Sequence, residues 1–153
     1  MSRWLAAVLL ASACTTATPL PAPPAGPVPD VRGSWSGTWG GRPASLLIAA
    51  QSDRAGYSGV YVGNTQVLGH ERPGVSAILT SSINGEPTSV TAHGWFGYAN
   101  GQEILYVRAE SPSGSLRLTL RRDGADRLIG TGDSSFRWGP AGPIELTRRT
   151  PPR

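Results

Sequence analysis

GSWSGTW, residues 33–39, sets two tryptophans four positions apart, with glycines and small hydroxyl residues around them. Side chains on a β-strand alternate between two faces. Read with that period, Gly33, Trp35, Gly37 and Trp39 share one face, and Ser34, Ser36 and Thr38 share the other. Glycine leaves room beside an indole and lets a strand bend sharply. An inward face of alternating glycine and tryptophan therefore suits the crowded end of a closing barrel, and the hydroxyl face suits its outside.

The same period recurs downstream. In SLRLTLRR, residues 115–122, Leu116, Leu118 and Leu120 face one way while Arg117, Thr119 and Arg121 face the other. In PIELTRR, residues 143–149, Ile144 and Leu146 point inward, and Arg148 falls on their side. An inward arginine needs a partner, because an unpaired buried charge is costly. Strands are expected at residues 33–39, 43–50, 56–62, 65–69, 75–82, 88–98, 103–110, 114–121, 127–133 and 143–148. Gly40-Gly41, Gly63-Asn64, Asn84-Gly85, Asn100-Gly101 and Asp123-Gly124 mark breaks between them, and such pairs accept the positive backbone angles of tight hairpins. No helical stripe intervenes. The expectation is an all-β fold, a single antiparallel, mostly up-and-down β-barrel of eight to ten strands.

Composition agrees with one β-rich domain. The 153 residues include 20 glycines and 14 prolines, and only 16% are charged. Net charge is +4, and every basic residue is arginine. The arginines are scattered, with no run longer than Arg121-Arg122 or Arg148-Arg149, so the clustered basic footprint of a nucleic-acid binder is missing. Catalytic signatures are equally absent. There is no G-x-S-x-G elbow and no phosphate loop, and the acids are spread out. His70 and His93 are far apart and form no metal-ligand spacing. A non-enzyme without metal or cofactor is expected.

The first 14 residues, MSRWLAAVLLASAC, run from a positive end at Arg3 through a short apolar stretch to Ala11-Ser12-Ala13 and Cys14. This is too short for a membrane span and has the order of a secretion leader. The lone cysteine after small residues resembles the bacterial lipobox, although Ala11 stands where leucine is commonest. Ala11-Ser12-Ala13 also fits an ordinary A-x-A leader cut at the same bond. The lipobox resemblance implies a signal peptide over residues 1–13 and acyl chains on Cys14 that anchor the protein to a membrane. Thr15 in place of aspartate implies the periplasmic side of the outer membrane. Residues 15–30 carry six prolines and almost no charge. Such a stretch buries too little to fold and extends at about 3.1 Å per residue, a spacer of up to roughly 50 Å. The expected organisation is a lipidated tether over residues 14–31, a barrel domain over 32–149 and a tail over 150–153.

The pattern of the domain resembles that of lipocalins and the wider calycin group, in which a G-x-W on the first strand meets an arginine from the last. The resemblance implies that Arg148 covers an indole and closes the barrel floor. Gly33-x-Trp35 and Gly37-x-Trp39 are competing registers, and Trp35, Trp39 and Arg148 are the candidate floor residues; the alternative is that both tryptophans are plain core. Gly37-Thr38-Trp39, Ser45 and the glycine-spaced strand ending in Tyr61 are also similar to avidin-type barrels, but the asparagine expected after the tryptophan and the later W-x-G-x-Y strand are missing. Small envelope protease-inhibitor barrels share the shape, yet their disulfide cannot form with one cysteine.

Small barrels bind ligands in their mouths or are simply filled. Tyr57, Tyr61, Trp95, Tyr106 and Trp138 are the candidate ligand-lining residues. The leading expectation is reversible binding of a small apolar or amphipathic molecule. The alternative is a filled barrel acting as a structural or protein-interaction module of the cell envelope, with an envelope protein as partner. An empty apolar cavity of about 300 Å³ or more separates the two.

Overall fold

The computed structural model describes residues 27–52, 56–62, 65–71 and 73–149; the side chains of residues 56–71 and of Ile83 lie outside the described set. Ten strands follow one another: β1 (Gly33–Trp39), β2 (Arg42–Ser52), β3 (Gly56–Val62), β4 (Thr65–Glu71), β5 (Gly74–Ile83), β6 (Glu86–Ala99), β7 (Gln102–Ser111), β8 (Gly114–Arg122), β9 (Arg127–Ser134) and β10 (Gly142–Arg148). There is no helix among the described residues. Eight strands close an antiparallel barrel in the order β1-β10-β9-β8-β7-β6-β5-β2. The remaining two, β3 and β4, pair only with each other, so the barrel proper has eight strands and not ten. The reason is register: β2 pairs directly with β5, from Ala44↔Ser81 to Ser52↔Gly74, and leaves β3 and β4 no place in the wall.

Hairpin chemistry sets this order. Gly40-Gly41, Asn84-Gly85 and Asn100-Gly101 all carry positive φ at both positions, between 51° and 86°. Those are the turns whose twist matches the strands they join. Each makes antiparallel neighbours of consecutive strands.

The inward positions form one core. Trp35, Trp39, Leu46, Leu79, Ala92, Leu120 and Leu146 are 0% exposed, and Phe96, Val107, Leu116, Leu118, Leu128 and Ile144 are at most 2% exposed. The buried polar residue Ser81 donates its hydroxyl to the Pro43 carbonyl at 3.2 Å.

The glycines of β1 do not make room for the indoles. Gly33 has φ +122° and looks toward Arg148, and Gly37 is exposed, with its missing Cβ aimed at the Glu145 backbone of β10. The room for Trp39 comes from the next strand but one: a Cβ on Gly132 of β9 would stand 2.7 Å from Trp39 Nε1. Close approach of strand and indole is what glycine permits there.

Packing also begins earlier than the composition suggests. Val31 is 0% exposed and Val28 9%, so the last residues of the proline-rich stretch belong to the folded body.

Candidate functional site

Two ends and two walls organise the molecule. The floor end gathers residues 28–32, the start of β1, the end of β10 and the β8–β9 loop. The far end gathers the β1–β2, β5–β6 and β7–β8 turns and the β9–β10 loop.

At the floor, three side chains grip the backbone of residues 29–32. Trp35 Nε1 donates to the Val31 carbonyl at 2.8 Å, a buried bond. Gln51 accepts from the Val31 N–H through Oε1 and donates Nε2 to the Pro29 carbonyl, both at 3.0 Å. Arg148 donates Nη1 to the Arg32 carbonyl and Nη2 to the Asp30 carbonyl, both at 2.9 Å. Its guanidinium carbon lies 4.5 Å from the centre of the Trp35 ring, within cation–π range. Asp126 Oδ1 stands 3.4 Å from Arg148 Nε, which has no hydrogen bond.

The register explains the meeting: Trp35 sits opposite Arg148 in the β1–β10 ladder, so both side chains leave on the same face. Trp39 pairs with Ile144, about 13 Å further along the strand, and takes no part in the floor. Of the two glycine–x–tryptophan registers, the first meets the arginine.

Gln51 owes its aim to a bulge. The β2–β5 register shifts between Ile48 and Ala50. One extra residue reverses the alternation, so Gln51 comes to lie opposite the inward Val75. Asp30 is fixed in turn by Arg32, whose Nε, Nη2 and backbone N–H all bond its carboxylate. Those bonds, the side-chain ones first, hold the Asp30 carboxyl well below the usual range. At the rim of the same end, burial pushes the Glu103 carboxyl up, and the charge of Arg122 opposes the shift.

The far end is closed by its own loop. Phe136, 5% exposed, stacks on Trp138 with ring centres 4.9 Å apart. The Phe136 N–H donates to Ser134 Oγ at 3.1 Å. Trp138 also borders an open, polar depression of about 550 Å³ with Asn84, Glu86, Thr88 and Arg137.

Of the five candidate ligand-lining residues, the three whose side chains are described do not converge on one mouth. Trp138 is at the far end. Trp95 and Tyr106 oppose each other on β6 and β7 and stack at 5.8 Å, but they alternate with the buried Phe96, Leu105 and Val107 and so face outward. Strand polarity sends them out of the core. Tyr57 and Tyr61 lie on β3, outside the barrel ladder, and their side chains are outside the described residues. Cys14 is outside the described residues as well. His93 is exposed on β6, and His70 lies on β4. No group of three metal-ligating side chains occurs among the described residues.

The outer surface divides into two walls. On β1, β2, β5 and β6, the outward row Ser34↔Leu47↔Ile78↔Thr91 and the row Ser36↔Ser45↔Thr80↔Ser89 contain no charge. Leu47 and Ile78, partners in register, are 42% and 41% exposed. On β7 to β10 charge sits in two outward rows, Arg108↔Arg117↔Asp133 and Arg121↔Ile129↔Glu145, with the uncharged row Tyr106↔Thr119↔Thr131↔Pro143 between them, and Arg127 bridges Glu145 at 2.9 Å and Asp123 at 2.7 Å. Sequence reading missed this asymmetry, although its signal, serine and threonine at alternate positions of the first strands and arginine at alternate positions of the later ones, was present.

No protein-family model, curated protein or solved structure matches the chain.

Proposed function

We propose that this chain is an envelope lipoprotein, anchored through an acylated Cys14 on the periplasmic side of the outer membrane, whose filled barrel is a non-enzymatic structural and protein-interaction module. One observation carries the choice between module and carrier. A cavity that admits a small molecule leaves its lining accessible, and the inward side chains of the eight barrel strands from Trp35 to Leu146 are nearly all inaccessible. Both ends are also capped, by residues 28–32 and by Phe136 with Trp138. The depressions along the described surface, such as that of about 580 Å³ over β8, β9 and β10, are open and lie outside the wall.

The anchor rests on the leader. Three side chains hold residues 29–32 at the floor, so a pull on the preceding tether is taken up by main-chain hydrogen bonds there. Acylation is tested by mass spectrometry: wild type should exceed Cys14→Ser by the acyl mass, and equal processed masses remove the anchor. Titration with palmitate, read by tryptophan emission, tests the filled interior. No saturable change is expected, and micromolar saturation would restore the carrier reading.

A further inference from the structure

We propose that the far-end mouth of the barrel is a binding site for a neutral carbohydrate, one or two pyranose rings of a glycan. The inference goes beyond the filled-barrel reading and does not depend on the anchor, because the site lies above the packed core and not within it.

Topology places the site. In the closed order of eight strands, the β5–β6 pair and the β9–β10 pair stand opposite each other. One open depression of about 550 Å³ is lined from both, by Asn84, Glu86 and Thr88 of the β5–β6 hairpin and by Arg137 and Trp138 of the β9–β10 loop. A hollow shared by opposite sides of a cylinder lies across its mouth. Parity agrees. Thr88 and Glu86 continue the inward row of Phe96, Ala92 and Val90 on β6, and Thr88 pairs with the buried Ser81. The inward row thus changes from apolar to polar as it reaches the mouth.

The aromatic platform is held in advance. One face of the Trp138 indole stacks on Phe136, a core residue, and the ring stays partly exposed at the depression. Its loop is pinned on both sides: the Gly139 N–H donates to the Phe136 carbonyl at 3.0 Å, and Arg42 Nη1 donates to the Trp138 carbonyl at 3.4 Å. A platform already fixed loses little freedom when it is covered. The polar side chains around it are uncommitted. Those of Asn84, Glu86, Thr88 and Arg137 make no hydrogen bond or ion pair among the described residues. By contrast, Arg32, Arg108, Arg127 and Arg148 each have a carboxylate partner.

Chemistry selects the ligand. Carboxylate, guanidinium and primary amide are planar groups that present polar atoms side by side. That arrangement suits neighbouring hydroxyls on a sugar ring, and the C–H face of the ring suits the electron-rich face of an indole. Glu86 and Arg137 carry opposite charges, so the depression as a whole favours neither an anion nor a cation. It offers no apolar enclosure for an acyl chain, and its volume falls within the small-molecule range, on the order of 300–1,000 Å³. An open site leaves the outer hydroxyls of a sugar in water, where they keep their hydrogen bonds. The binding is therefore weak and selective for stacking sugars.

The test uses the processed chain carrying Cys14→Ser, so the result does not depend on acylation. Nuclear magnetic resonance follows the Trp138 indole N–H and the Thr88 amide during titration with cellobiose, maltose and diacetylchitobiose. At least one of these sugars should shift both signals saturably, with a dissociation constant between about 0.1 and 10 mM. Trp138→Ala should weaken binding by about tenfold or more, read at Thr88. Glu86→Ala combined with Arg137→Ala, two exposed positions outside the core, gives a second reading if Trp138→Ala disturbs the fold, and should weaken binding by about fivefold or more. Trp95→Ala, on the outer wall, should change it by less than about twofold. No saturable shift with any of the three sugars, binding indifferent to both Trp138→Ala and the double variant, or saturation by zwitterionic dialanine in place of a sugar overturns the proposal. Palmitate titration of the same sample reports separately on the barrel interior, so failure of the mouth and failure of the filled barrel are distinguishable.

Discussion

Trp35 and Trp39 stand four residues apart on one strand, are equally buried, and have opposite hydrogen-bond accounts. The N–H of Trp35 donates to the Val31 carbonyl, and a guanidinium covers its ring. The N–H of Trp39 is buried without a partner, and its indole edge rests on the backbone gap left by Gly132. The setting of Trp35 is thus a joint built from directed polar contacts, whereas the Trp39 indole is held by shape. A local motif that is the same twice, glycine–x–tryptophan, does not decide which of these its indole enters. The neighbouring strands decide it, through Arg148 of β10 in one case and Gly132 of β9 in the other.

The largest effect should come from the shape-held indole. Gly132→Ala pushes a methyl group into Leu118 and the Trp39 indole, both fully packed. Overpacking of that kind costs about 2–3 kcal/mol, read as a lower urea midpoint. If the variant unfolds like wild type, the Trp39 indole is not tightly packed and the contrast dissolves. Next comes a paired comparison. Trp35→Phe strands the Val31 carbonyl and shrinks the arginine's platform, while Trp39→Phe removes a donor that has no partner. The first should cost more than the second by about 1–2 kcal/mol, since the cavity terms are similar and only one hydrogen bond is lost. Equal losses would mean that the two indoles are both plain core. Arg148→Ala should cost about 1–2 kcal/mol by releasing two carbonyls and the ring. Arg148→Lys should recover only part of this, because an ammonium cannot fork to two carbonyls while lying flat on an indole.

The smallest effect is a response to acid confined to the floor. The Asp30 carboxyl is held low in the folded chain, so its contribution is complete above the ordinary aspartate value, about pH 4, and is lost as pH falls through the lower folded value. Glu103 works the other way, because burial raises its value and protonation relieves the penalty. Asp30→Asn separates them. Its deficit relative to wild type should be present at pH 6 and shrink toward pH 2; a deficit independent of pH would show that the carboxylate charge is irrelevant to the joint.

Much of the wall was legible from alternation. The boundaries of β1 and β3 coincide with the glycine-bounded runs, and β5 to β10 lie within two residues of their expected limits. Alternation reports only that a residue faces in or out, however. It does not say which sheet a strand joins, and so β3 and β4 look like any other strands. It also fails at a bulge: Gln51 reads as an outward or terminal residue until the extra residue between Ile48 and Ala50 turns it inward. Trp95 and Tyr106 were misplaced for a related reason. Aromatic character suggested a lining, while their parity with Phe96 and Leu105 already sent them to the outside.

The seam between β1 and β10 has a consequence for how the molecule comes into being. The first barrel strand made is closed only by the tenth strand, so the cylinder stays open until residue 148 has left its source. Until then two ribbon edges, on β1 and on the newest strand, offer unpaired amides to any passing neighbour. Nucleation from the tight central hairpins is fast, and the final end-to-end ligation of the sheet is slow because it spans nearly the whole domain. A polypeptide cut short before residue 142 would therefore lose more than one strand in eight: it would be an open, adhesive sheet with its floor unbarred.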